Sequence, residues 1–83
     1  MARDYYDEAR GLAAEIRTGA AELVRSADRI EDAITSGFTA TEILMGLRFR
    51  IGEMLDNERA SLPDGLRARA AELAQAIDET LRS

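Results

Sequence analysis

Apolar residues recur at helical spacing from Tyr5 to Ile34. At 100° per residue, Tyr5, Ala9, Leu12, Ala13, Ile16, Ala20, Leu23, Val24, Ala27, Ile30 and Ile34 share one arc of roughly 120°. The charged residues, among them Asp4, Glu8, Glu15, Arg17, Glu22, Arg25 and Arg29, lie outside it. Asp4, Asp7 and Glu8 fall in the first turns, where the helix dipole favours negative charge, and Gly37 is a natural terminator. The pattern predicts a helix from about Ala2 to Ser36.

Two further start signals follow. Thr39-Ala40-Thr41-Glu42 reads as a capping box in which Glu42 reaches back to the Thr39 amide, with Phe38 placed to staple onto Ile43. It opens a helix over about 40–59 whose apolar arc is Ile43, Leu44, Leu47, Ile51, Met54 and Leu55. Ser61 as cap, with Pro63 in the first turn, opens a third helix over about 62–82. Its apolar face is Leu62, Leu66, Ala70, Leu73, Ala74, Ile77 and Leu81, and Pro63 either separates helices two and three or kinks one helix. No strand pattern, repeat or linker interrupts the chain, so residues 1–83 form one all-α domain.

Lengths then predict assembly. One helix of roughly 33 residues spans about 50 Å, and its two companions of roughly 20 residues span about 30 Å each. Either a three-helix bundle or a long helical hairpin leaves part of the stripe of Leu12, Ile16, Leu23, Ile30 and Ile34 uncovered. The expectation is a homodimer that buries this stripe in a larger helical bundle.

Composition narrows the chemistry. The chain has no cysteine and no histidine, which excludes disulfides, nucleophilic triads, histidine zinc sites and Glu-x-x-His di-iron sites. All eleven cations are arginine, the usage a GC-rich genome favours, so no lysine is present for Schiff-base chemistry. The net charge of −5 and the lack of a basic stripe argue against nucleic acid and for a protein partner with a basic surface. A helix-turn-helix over Thr39–Leu55 would put Glu42 where a small residue packs and Gly52 where an aliphatic belongs. No leader or apolar span appears, so no membrane role is expected and a cytoplasmic setting is.

Two features remain for function. Met45 and Phe49 lie opposite the main arc of the second helix, next to Gly52, with Arg48 and Arg50 flanking Phe49. That composition is enriched at protein interfaces, with Phe49 as anchor and the arginines orienting a partner. The competing reading packs Phe49 inside its own chain. The second feature is a pair of acidic couplets, Asp28-x-x-Glu31 and Glu53-x-x-Asp56. This layout resembles the all-α nucleoside-triphosphate pyrophosphatases of the MazG type, and the resemblance implies Mg²⁺ held between two helices. Here the first position is Asp rather than Glu, and Glu53 and Asp56 point away from the apolar arc.

The sequence therefore describes a small acidic helical interaction module that works by binding, in the manner of bacterial antitoxins, immunity proteins, inhibitors or chaperone-like accessory proteins. It calls for no cofactor, metal or catalytic residue. The alternatives are a structural homo-oligomer and the Mg²⁺-dependent pyrophosphatase.

Overall fold

The computed structural model describes residues 3–83. Helix α1 spans Tyr5–Gly19, α2 Val24–Ser36, α3 Ala40–Asn57 and α4 Asp64–Arg82. Single 3₁₀ turns, Ala21–Leu23 and Arg59–Ser61, precede α2 and follow α3. The expected start at Ala2 lies outside the described residues. Asp4 caps α1 by accepting the Asp7 amide at 3.0 Å.

The long rod is broken. Ala20 leaves helical geometry at φ −146°, ψ 63°, although its amide still reaches the Ile16 carbonyl at 2.8 Å. Gly19 lowers helix propensity at this point, and the Thr18 hydroxyl turns back to the Glu15 carbonyl at 3.1 Å. After the break the chain folds back on itself. Arg17 of α1 pairs with Asp28 (2.6 Å) and Glu31 of α2. In a straight helix, residues 17 and 28 would stand roughly 16 Å apart along the axis. The long axis of the whole molecule is 32 Å, too short for the expected rod.

The result is a four-helix arrangement in which each helix packs on the next and α4 closes back onto α1. The expected hairpin or three-helix bundle is thereby corrected. Pairings across the closing interface run antiparallel: Tyr5 to Thr80 at 2.8 Å, and Arg69 to Glu15. The Tyr5 hydroxyl thus meets α4, and both tyrosines pack partly buried on the core.

The core removes the premise of the dimer expectation. Leu12, Ile16, Leu23, Ile30 and Ile34 are all buried within one chain, packed with Leu47, Ile51, Met54, Leu66, Leu73 and Ile77. Folding the rod in half hides the ribbon that was to require a second copy. Burying each large aliphatic contributes roughly 1.5–3 kcal/mol, far more than the helical turn lost at the break. Val24, expected on the buried arc, is 43% exposed because it starts α2 beyond the turn.

Helix α3, the second of the expected helices, starts where the sequence places it. The Glu42 amide donates to Thr39 Oγ1 at 3.1 Å. The return half of the capping box differs, since the Glu42 carboxylate meets the Thr39 hydroxyl at 3.4 Å rather than its amide. Thr39→Ala is expected to cost about 1 kcal/mol in denaturant unfolding through the lost cap. An unchanged midpoint would contradict this start.

The staple is different again: Phe38 is 95% exposed, and the backbone of Gly37 takes its place against Ile43. Gly37 is extended at φ −81°, ψ 144°, so it ends α2 without a left-handed cap. At the next joint, Ser61 sits in the 3₁₀ turn and makes no side-chain cap; Pro63 is the capping position and separates α3 from α4.

Candidate interaction surface

Helix α3 has two unlike sides. Leu47, Ile51 and Met54 are buried against its neighbours, with Ile43, Leu44 and Leu55 half-buried beside them. On the other side, Phe49 is 60% exposed and Met45 49% exposed. The structure thus leaves Phe49 outside the core and rules out the reading that packs it within the chain.

Phe49 stands between two shallow grooves. One is lined by Arg29, Asp32, Ala33 and Ser36 of α2, by Gly37, and by Glu42, Gly46, Phe49 and Arg50 of α3. The other is lined by Arg48, Phe49, Gly52, Glu53, Asp56 and Asn57. Of the expected patch, Phe49 and Arg50 line the first groove, Arg48, Phe49 and Gly52 line the second, and Met45 lines neither. Phe38 lines neither groove, although its neighbour Gly37 lines the first.

The arginines are already engaged. Arg48 reaches across to Asp78 of α4 at 2.8 Å. The Arg50 guanidinium lies 5.3 Å from the Phe49 ring centre, a cation–π arrangement, and pairs with Glu53 at 3.1 Å. Arg29 approaches the same carboxylate at 3.9 Å. Asp32, Glu42 and Asp56, by contrast, have no arginine within ion-pair distance among the described residues.

Glycines on α3 play two parts. A Cβ on Gly46 would lie 3.3 Å from that of Ala33, so Gly46 lets α2 and α3 approach closely. A Cβ on Gly52 would meet nothing within 4 Å. Nothing inside the chain requires glycine there, and glycine costs a helix interior up to about 1 kcal/mol relative to alanine. Gly52→Ala is therefore expected to raise unfolding free energy by about 0.5–1 kcal/mol in a urea titration. A destabilised variant would place a hidden contact at this position.

The acidic couplets do not assemble. Asp28 and Glu31 are both taken by Arg17, and Glu53 by Arg50. No group of three or more acidic side chains stands close enough to hold a metal ion among the described residues. Elsewhere, Arg3 bridges Glu8 and Glu72 at 2.8 and 2.6 Å, and its hydrogen bonds hold the Glu72 carboxyl below its ordinary value. The one buried polar side chain, Ser26, donates to Glu58, and no buried side-chain polar atom is unpartnered among the described residues.

Sequence reasoning found the α3 half of this surface because Met45 and Phe49 fall off the apolar arc. It missed Asp32, Ala33 and Ser36, which join only when α2 lies beside α3. No helix among the described residues is long and apolar enough to cross a membrane. Compared with protein-family models, curated proteins and solved structures, the chain matches none.

Proposed function

We propose that this protein is a cytoplasmic interaction module that acts by binding another protein through the outward side of α3, without catalysis. The observation that carries this reading is the exposure of Phe49 and Met45 on a helix whose opposite side already supplies the core. A large aromatic left in water beside a thioether and arginine costs solubility and adds nothing to folding; such residues are the usual anchors of protein interfaces. The surplus stripe that favoured a homo-oligomer is spent inside one chain. Of the four carboxylates that suggested pyrophosphatase chemistry, Asp28, Glu31 and Glu53 are held by arginines.

Phe49→Ala separates binding from folding. Its unfolding free energy should stay within about 0.5 kcal/mol of wild type, as for a surface substitution. A complex reconstituted from the purified chain and its purified native partner should lose about 2 kcal/mol or more of affinity, the effect of removing an anchor. A fall in stability with binding intact would assign Phe49 to the fold instead. A photo-crosslinker at position 45 should label that partner; labelling only from the α1 or α4 surface would move the interface elsewhere.

A further inference from the structure

The charges around Phe49 describe what covers it. Every arginine lining the two grooves already faces a carboxylate: Arg48 with Asp78, Arg29 and Arg50 with Glu53. Asp32 and Glu42 flank one groove and Asp56 the other, all three exposed and without an arginine among the described residues. From Glu42 to Asp56 along α3 is roughly 20 Å, with Met45 and Phe49 between them. The surface is an apolar centre with carboxylates lacking an ion-pair partner at each end, and its two linings together carry four carboxylates (Asp32, Glu42, Glu53, Asp56) against three arginines (Arg29, Arg48, Arg50).

We infer that the occupant is a cationic amphipathic segment of another protein. Its apolar side chains would cover Phe49 and Met45, and its arginine or lysine residues would reach Asp32 and Glu42 at one end and Asp56 at the other. This rests on the binding role proposed above and names the partner chemistry. A second copy of this chain fits poorly: it carries the same −5 charge, and a two-fold contact at Phe49 would bring both sets of free carboxylates together. Gly52 agrees with a close approach, since the chain itself leaves open space over it. Unpaired acids at the rim steer a basic partner and reject an acidic one.

The test uses the full chain, labelled for NMR at methionine methyls and backbone amides. Two synthetic helical peptides share one leucine–phenylalanine face and differ only in having lysine or glutamate at every polar position. The lysine peptide should shift the Met45 methyl and the Gly46 and Gly52 amides, binding at least tenfold tighter than the glutamate peptide. Phe49→Ala should weaken it at least tenfold. Neutralising the rim with Asp32→Asn, Glu42→Gln and Asp56→Asn together should also weaken it about tenfold. A remote set of equal charge, Asp7→Asn, Glu22→Gln and Glu79→Gln, should change it less than threefold.

Equal binding of both peptides at this face would overturn the cationic assignment while leaving the binding face in place. Lysine-peptide shifts that miss the face, ignore Phe49→Ala or respond equally to both charge sets would overturn it too. Loss of the Phe49 dependence would also remove the reading on which the inference rests. Shifts at Met45 and Gly52 that grow with concentration of the chain alone would make the occupant a second copy.

Discussion

Ile30→Ala should destabilise the isolated chain by about 2–5 kcal/mol, the cost of opening a cavity at a site with no exposure. A domain of this size has roughly 4–12 kcal/mol in total, so one substitution removes much of its margin. The effect should appear as a lower urea midpoint, with the same value at every protein concentration. That independence matters as much as the size. If Ile30 lay in a seam between two chains, the midpoint would rise with concentration, because dissociation would be coupled to unfolding. A loss below about 1 kcal/mol would contradict the burial of Ile30 in the folded-back arrangement.

Gly37→Ala should also destabilise, by about 1–3 kcal/mol, as overpacking does. The sign is the informative part. At φ −81°, ψ 144° any residue is comfortable, and replacing glycine at such a position ordinarily stabilises by restricting the unfolded chain. Here a Cβ would fall 2.6 Å from Ile43 Cγ1 and 3.0 Å from the Ile43 amide nitrogen. The first turn of α3 would have to shift away from the end of α2. Ile43→Ala in the same chain should recover part of the loss, because it removes the nearer contact and leaves the backbone one. Two costs that simply add would show that the residues are not in contact. A stabilised Gly37→Ala variant would mean that the α2–α3 joint takes another path.

The break at Gly19–Ala20 was not legible in the pattern of apolar positions. Ile16, Ala20, Leu23 and Ala27 follow one another at helical spacing straight through it. Periodicity records which side of the chain is apolar, not whether the chain is straight. The overlong stripe posed a real problem with two solutions, a second copy or a fold-back. Thr18 and Gly19 were the local hint, and intrachain burial of Ile16, Leu23 and Ile30 decided the outcome over helix propensity.

The later helices were read more closely because their joints carry strong chemistry. Thr39 caps where its hydroxyl can reach the Glu42 amide, and the face of Leu66, Ala70, Leu73 and Ile77 is the buried face of α4. The errors there are of partner choice: Gly37 in place of Phe38 against Ile43, and Pro63 in place of Ser61 at the start of α4. The candidate surface divides in the same way. Met45 and Phe49 announce themselves as apolar residues on the wrong side of one helix, whereas Asp32, Ala33 and Ser36 of α2 join the surface only once the helices are packed.

Sedimentation equilibrium of the purified chain, from nanomolar concentration upward, tests most directly whether one chain hides its own apolar stripe. The account predicts a single species at 9.1 kDa throughout. A species of twice that mass persisting at nanomolar concentration would contradict it, since a dimer so tight needs a larger apolar seam than Phe49 and Met45 provide.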